Sequence, residues 1–75
     1  MTDRLADVPS LFQTERQREI VTATMVNGRV EVADLAERFG VTTETIRRDL
    51  SELQDQRVVR RVHGGAVPWE TGGFE

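Results

Sequence analysis

A break of three residues, Gly40-Val41-Thr42, separates two short segments whose apolar residues recur at helical spacing. Gly40 is suited to end the first of these helices, because a residue without a Cβ adopts a left-handed conformation at no steric cost. Thr42 is suited to begin the second, since its hydroxyl can accept a hydrogen bond from a backbone N–H of the first turn. Two helices joined so tightly are typical of a helix-turn-helix.

The apolar periodicity predicts three helices in all. In the third, Ile46, Leu50 and Leu53 lie at positions i, i+4 and i+7 and form one buried face. The first helix is predicted to start after a capping box at Thr14 and to end before Gly28. The approximate helix bounds are 15–26, 32–39 and 43–55. The predicted core comprises Ile20, Met25, Leu35, Phe39, Ile46, Leu50, Leu53 and Val62.

A β-hairpin is predicted directly after the third helix. Residues 58–62 are rich in β-branched side chains and indicate a strand. His63-Gly64-Gly65 is a turn signal, and a returning strand ends at Pro68, which cannot donate to a ladder. A further short strand is predicted at 29–31, and no fourth helix. The predicted fold is therefore mainly α (α+β), a three-helix winged helix-turn-helix with a C-terminal β-hairpin wing.

The domain organisation follows from these elements. Seventy-five residues suffice for one small domain, which we place at 14–68. Residues 1–13 contain Pro9 and have no sustained period, so we expect a flexible N-terminal arm. Residues 69–75 are rich in glycine, so we expect a frayed tail or the start of a linker.

Composition excludes several classes of function. The chain has no cysteine, which excludes disulfides, zinc knuckles and thiol chemistry. Its one histidine has no catalytic or metal-binding partners in the sequence, so we predict no enzyme, no cofactor and no metal in this stretch. No apolar run approaches the roughly 20 residues of a membrane span. The first residues show no charged-then-apolar pattern, so we expect no export leader. We expect a cytoplasmic chain without a membrane partner.

The distribution of charge changes what the net charge of −3 implies. An acidic total argues against binding of nucleic acid. Half of the ten arginines, however, lie within 46–63, which carries a net charge of +2, whereas 1–45 carries −3 and 64–75 carries −2. Because the local field matters more than the total for a polyanion, this stretch remains a candidate for binding DNA.

The exposed residues of the third helix and the hairpin carry groups that bind DNA. Hydroxyls and free N–H groups at a helix N-terminus suit phosphate oxygens, and an arginine one turn further can contact guanine bidentately. Arginines on the hairpin can contact a flanking phosphate or the minor groove. The predicted contact residues are Thr42, Thr43, Glu44, Thr45, Arg47, Arg48, Ser51, Arg60, Arg61, His63 and Gly64.

Other interpretations of these residues stay open. Arg47 and Arg48 could form a solvated face with ion pairs, such as Arg48 with Glu52. Thr45 could pack against the second helix instead of contacting phosphate. Asp49 would repel DNA, so we assign it a structural role as the partner of an arginine such as Arg61. As a whole, the domain could instead be a winged-helix module for protein–protein contact without DNA binding, with the acidic first half as its contact face.

Two runs of the sequence resemble a known family. Residues 42–50, Thr-Thr-Glu-Thr-Ile-Arg-Arg-Asp-Leu, and residues 61–66, Arg-Val-His-Gly-Gly-Ala, look like the DNA-binding domain of the DeoR family of bacterial transcription regulators. The resemblance covers about 15–67. It implies sequence-specific binding of double-stranded DNA, with the helix at 43–55 in the major groove and the wing on the flanking backbone. It further implies a repressor of sugar or nucleoside catabolism.

The resemblance also implies partners outside this stretch. Members of the family carry a larger C-terminal domain that binds a phosphorylated sugar and supports oligomerisation. We expect that domain to be absent here, since the sequence stops just past the wing. This stretch is then expected to be a monomer, the longer protein a homo-oligomer, and the bound protein to lie at the bacterial nucleoid.

Three positions depart from the family pattern. Arg57 follows the third helix where the family commonly has glycine, so it must avoid positive φ or bear a strain of roughly 1 kcal/mol or more. That substitution leaves the angle of the wing open. Thr24 stands where an aliphatic residue is usual. Glu31 replaces the usual hydroxyl cap of the second helix, where it can still interact with the helix dipole.

Overall fold

The computed structural model describes the backbone of residues 2–72 and the side chains of residues 12–70. Three helices are followed by a β-hairpin, which confirms the predicted winged helix-turn-helix. The elements in chain order are α1 (Thr2–Asn27), β1 (Val30–Glu31), α2 (Val32–Phe39), α3 (Thr43–Asp55), β2 (Val59–Val62), β3 (Gly65–Pro68) and α4 (Trp69–Gly72).

The sheet has three antiparallel strands in the order β1-β3-β2, so the hairpin is supported on one side by β1. Gly65 pairs with Glu31 across this junction. A Cβ at Gly65 would lie 2.0 Å from the carbonyl oxygen of Val30, which no side chain could tolerate. Glycine is therefore required at this position because two strands of the protein itself are in close contact there.

The core lies between the three long helices and the inner face of the sheet. Ile20, Ile46, Leu50, Val59 and Ala66 are fully buried. Leu35 and Leu53 are buried as predicted, Phe39 is partly buried, and Val62 is only half-buried.

Met25 is a wrong core prediction, because its side chain is 55% exposed. Helix α1 directs Ile20, Ala23 and Thr24 into the core, and the next position turns away from it. Thr24 is itself fully buried, and its hydroxyl donates to the carbonyl oxygen of Ile20 at 2.7 Å. The buried Thr24 hydroxyl, at a position where an aliphatic residue is usual, is therefore paired by a hydrogen bond.

One helix boundary and one additional helix differ from the sequence prediction. Helix α1 begins at Thr2, and Thr14 lies within it instead of capping it. Extending a formed helix costs less than starting one, so a weak local signal within 1–13 does not prevent helix formation. Residues 69–72 form a short helix α4 where no fourth helix was predicted. The expected tail overlaps this helix, and residues 73–75 lie outside the described residues.

The ends of the two central helices agree with their predicted bounds. Gly40 adopts a φ of 68° after α2, and Thr42 caps α3 through its hydroxyl. Arg57, after α3, adopts a φ of 63°, so its backbone bears the strain of the left-handed conformation. Glu31 occupies the N-cap position of α2 without a side-chain cap hydrogen bond. Within the described stretch, no helix is both long enough and apolar enough to cross a bilayer.

Candidate nucleic-acid interface

The N-terminus of α3 carries a cluster of hydroxyls. The backbone N–H of Thr45 donates to the Thr42 hydroxyl at 3.1 Å, and the two hydroxyl oxygens lie 3.2 Å apart. Thr43 and Glu44 are exposed beside them, whereas Thr45 is half-buried. The capping role predicted for Thr42 is confirmed, and the Thr45 hydroxyl lies against that cap.

The two arginines of α3 differ in their surroundings. Nη1 of Arg47 lies 3.5 Å from the Thr43 hydroxyl and 4.0 Å from a carboxylate oxygen of Glu44. Arg48 is exposed and has no hydrogen bond or ion pair among the described side chains. The alternative pair with Glu52 does not form. One carboxylate oxygen of Glu52 instead accepts hydrogen bonds from the amides of two glutamines of α1, Gln13 and Gln17.

Strand β2 is joined to the exposed face of α3. Nη1 of Arg61 donates to the Ser51 hydroxyl at 2.7 Å, and the backbone N–H of Arg61 donates to the side-chain oxygen of Gln54 at 2.8 Å. Ser51 lies three residues after Arg48, so the two are neighbours on the helix surface. Arg48, Ser51 and Arg61 therefore form one continuous surface, which we call the α3–wing face.

Asp49 has the predicted structural role, but its partner is not Arg61. It is 1% exposed and accepts hydrogen bonds from Nε and Nη2 of Arg16, the latter at 3.0 Å. The amide of Gln17 donates to the same carboxylate at 3.0 Å. The hydrogen bond to Asp49 raises the pKa of Arg16 and keeps it charged. Because a buried charge without its partner is costly, this pair holds α3 against α1.

The sequence held a signal for Arg16 that was missed. Arg16, Ile20 and Ala23 lie at i, i+4 and i+7, so Arg16 belongs to the buried stripe of α1. A charged residue in such a stripe indicates a buried partner of opposite charge.

Arg60 lies on the other side of the hairpin from Arg61, because successive side chains of a strand point to opposite faces. Its guanidinium carbon lies 4.3 Å from the centre of the Trp69 ring. Its Nε is buried and has no hydrogen-bond partner among the described residues. The structure therefore gives Arg60 a cation–π contact with α4, and its predicted contact with DNA remains a prediction.

The turn of the wing is exposed at His63 and Gly64. Gly64 has a φ of 75°, which only glycine adopts readily. The carbonyl oxygen of His63 accepts a hydrogen bond from Nη2 of Arg29 at 2.8 Å. The local sequence around Arg29 gives no signal for this bond, because its partner lies 34 residues away.

Comparison with known proteins decides the family. The sequence profile of the DeoR-like helix-turn-helix domain matches residues 16–71, which include α2, α3 and the wing. The chain belongs to this family. The stretch matched includes the α3–wing face and the Arg16–Asp49 pair of this DeoR-like domain.

Curated relatives of the DeoR-like domain are transcriptional regulators by name. The regulator YulB of Bacillus subtilis is 45% identical over 57 residues, which are 76% of this chain and 22% of YulB. The glycerol-3-phosphate regulon repressor of Escherichia coli is 44% identical over 55 residues, 73% of this chain and 22% of that protein. The regulator GlpR of Haloferax volcanii is 40% identical over 65 residues, 87% of this chain and 26% of that protein.

The DeoR-like chain thus spans about a quarter of the length of these relatives or less. No solved structure matches it. Among its described residues, no group of three or more histidine, cysteine, aspartate or glutamate side chains is placed to hold a metal ion.

Proposed function

We propose that this DeoR-like domain binds double-stranded DNA in a sequence-specific manner, with α3 in the major groove and the wing on the flanking backbone. The observation that carries the proposal is the α3–wing face. It combines Arg48, which has no partner among the described residues, with Arg61 of the wing at hydrogen-bond distance from Ser51. An arginine on an exposed recognition helix can contact guanine bidentately.

The other residues of the interface divide by position. Arg47 and the exposed hydroxyl of Thr43 lie near the N-terminus of α3, where the helix dipole favours a phosphate. On the wing, Arg61 can exchange its bond to the Ser51 hydroxyl for a phosphate oxygen. His63 and Gly64 lie at the tip, where their backbone can approach the flanking strand. The contact set therefore combines base contacts from α3 with backbone contacts from its ends and from the wing.

The longer protein is proposed to be a repressor of sugar or nucleoside catabolism. One relative is named a glycerol-3-phosphate regulon repressor, which supports a phosphorylated effector bound outside this stretch, and for this protein we propose a phosphorylated sugar. We further propose that the longer protein is a cytoplasmic homo-oligomer and that this stretch alone binds DNA as a monomer. Single half-site binding is then weak, because no partner domain adds effective concentration.

A second function, protein–protein contact without DNA, is favoured by one observation. Three large apolar side chains of α1 are exposed, Phe12 by 65%, Met25 by 55% and Val26 by 76%. Met25 and Val26 are consecutive near the end of α1, and exposed apolar side chains can mark a site of protein contact. This surface lies on α1 and not on the α3–wing face, so loss of DNA binding on mutation of Arg48 distinguishes the two functions.

The test is the variant Arg48→Ala, measured by fluorescence anisotropy with duplex DNA from the region upstream of the gene itself. Loss of a bidentate guanine contact is expected to weaken specific binding by about 1–3 kcal/mol. Wild-type affinity is also expected to fall steeply between about 50 and 200 mM salt. Arg18→Ala is the matched control, since it removes the same charge from an exposed position on α1. Equal affinity of Arg48→Ala and wild type contradicts the role of Arg48.

A further inference from the structure

The turn of the wing is held from the side by the segment around β1. Nη2 of Arg29 donates to the carbonyl oxygen of His63 at 2.8 Å. The backbone N–H of Val32 donates to the carbonyl oxygen of Gly64 at 2.9 Å. Two successive carbonyls of the turn are therefore bonded to residues that flank β1, and one of these two bonds depends on a side chain.

The side chain of Arg29 is itself oriented by Glu31. Nε of Arg29 lies 2.6 Å from a carboxylate oxygen of Glu31, while Nη2 of the same guanidinium reaches His63. A planar guanidinium can make both bonds at once because its donors point in fixed, different directions, which a lysine ammonium cannot reproduce. The carboxylate also neutralises the charge of Arg29. The Arg29–Glu31 pair therefore orients a hydrogen-bond donor towards His63 and adds little net positive charge.

We propose that Arg29 is a positioning residue for the wing: it holds the turn at His63 and Gly64 in the orientation that meets the DNA backbone, and it does not itself bind phosphate. The proposal rests on the proposed function, because it assigns Arg29 a role in DNA binding. The wing is then a turn anchored on a third strand, and its tip enters the complex already ordered. Such order removes part of the entropy cost of binding.

Lysine distinguishes positioning from phosphate contact. Arg29→Lys keeps the positive charge but cannot bond Glu31 and His63 together. If Arg29 positions the turn, Arg29→Lys weakens DNA binding by roughly three- to tenfold, and Arg29→Ala by at least as much. The salt dependence of affinity then stays that of wild type, since no phosphate contact is lost.

The experiment measures the affinity of both variants for the same duplex at several salt concentrations, with Arg18→Ala as the charge-matched control. The control is expected to stay within about twofold of wild type, because it is exposed and lies on α1. Restoration of wild-type affinity by lysine, or a salt slope reduced by about one in Arg29→Ala, identifies a phosphate contact and overturns the proposal.

A measurement on the free protein separates this proposal from the proposed function. Hydrogen exchange of the Val32 amide reports the bond to the Gly64 carbonyl. It is expected to be several-fold faster in both Arg29 variants, while the amide of Leu50 in α3 is unchanged. Unchanged exchange at Val32 overturns the anchoring role even if the domain binds DNA. If the Val32 amide exchanges faster in the Arg29 variants but the wild-type protein binds no DNA, the anchoring role is supported and the proposed function is overturned instead.

Discussion

Helices α2 and α3 end in the same way with different residues. After α2, the N–H of Val41 donates to the carbonyl oxygen of Ala36 at 3.0 Å, and the N–H of Gly40 donates to that of Glu37 at 3.3 Å. Gly40 adopts a φ of 68°. These two bonds around a left-handed residue define a Schellman motif, and glycine is the residue that forms it without strain.

The end of α3 repeats this geometry around an arginine. The N–H of Val58 donates to the carbonyl oxygen of Leu53 at 3.0 Å, and the N–H of Arg57 donates to that of Gln54 at 2.8 Å. Arg57 adopts a φ of 63°, and a left-handed residue with a Cβ costs roughly 1–2 kcal/mol. The two ends therefore form the same bonds at different conformational cost.

The difference shows that packing determines where α3 ends. Val59, two residues beyond Arg57, is fully buried, and strand β2 begins with it. Burial of a side chain of this size contributes about 1.5–3 kcal/mol, which offsets the strain at Arg57. The chain consequently leaves α3 in the left-handed conformation that a glycine at this position would adopt without strain.

The largest effect on stability is expected from a β-branched residue in place of Gly40, at the unstrained end of α2. Gly40→Val should destabilise the domain by about 2 kcal/mol, because a β-branched residue is least tolerant of positive φ. A Cβ at this position meets no atom within 4 Å, so the cost arises from the backbone alone. Urea unfolding measures it.

Ala33→Val is the matched control for Gly40→Val, since Ala33 is an exposed residue within α2. It should cost only the helix-propensity difference of about 0.6 kcal/mol. Equal destabilisation by the two variants would show that backbone strain does not distinguish position 40.

A smaller effect of opposite sign is expected at the strained end. Arg57→Gly should stabilise the domain by roughly 0.5–1 kcal/mol, because relief of the strain exceeds the greater entropy of glycine in the unfolded chain. For a domain of this size that raises Tm by about 2–8 °C, which thermal unfolding detects.

Arg57→Asn sharpens the same comparison, since asparagine tolerates the left-handed region better than arginine. It should fall between wild type and Arg57→Gly. A loss of stability in both variants would mean that the Arg57 side chain contributes more than its backbone costs.

The comparison also shows which parts of the fold can be predicted from the sequence. The end of α2 and the start of α3 can be predicted because their signals are local: Gly40 and Thr42 act within one or two turns. The start of α1 was missed, because the capping signal at Thr14 lies inside a helix that continues from earlier residues. Helix α4 was missed because Gly72, its last residue, and Gly73, which follows, indicate a frayed tail.

In the candidate site, too, local features can be predicted from the sequence, whereas contacts between distant residues cannot. The exposed position of Arg48 and the structural role of Asp49 follow from the helical period. The partners of these residues do not, because Arg16 lies 33 residues before Asp49 in the sequence. The contact of Arg60 with Trp69 also required knowledge of α4, and only the fold brings Arg29 to the wing turn.

The smallest expected effect is a difference in pH response between the turn that follows α2 and the wing turn that follows α3. Beyond α2, the Thr42 hydroxyl makes the capping bond, and a hydroxyl does not titrate. Beyond α3, the wing turn depends on Arg29, which a carboxylate orients. The hydrogen bond from Arg29 lowers the pKa of Glu31 below its ordinary value. A lowered folded-state pKa adds stability above the unfolded-state pKa, and this stability is lost as the pH falls through the folded-state pKa.

Acidification should therefore loosen the wing turn and leave the turn between α2 and α3 unchanged. Because Glu31 is exposed, the effect on global unfolding is expected to be small, and NMR detects it better. The Gly64 amide, near the Glu31 carboxylate, should titrate with a midpoint below that of an ordinary glutamate, whereas the Val41 amide should not follow it. Arg29→Ala should return the midpoint towards its ordinary value. If the midpoint is the same in both proteins, Arg29 does not stabilise the charged carboxylate, and the two turns do not differ in their response to pH.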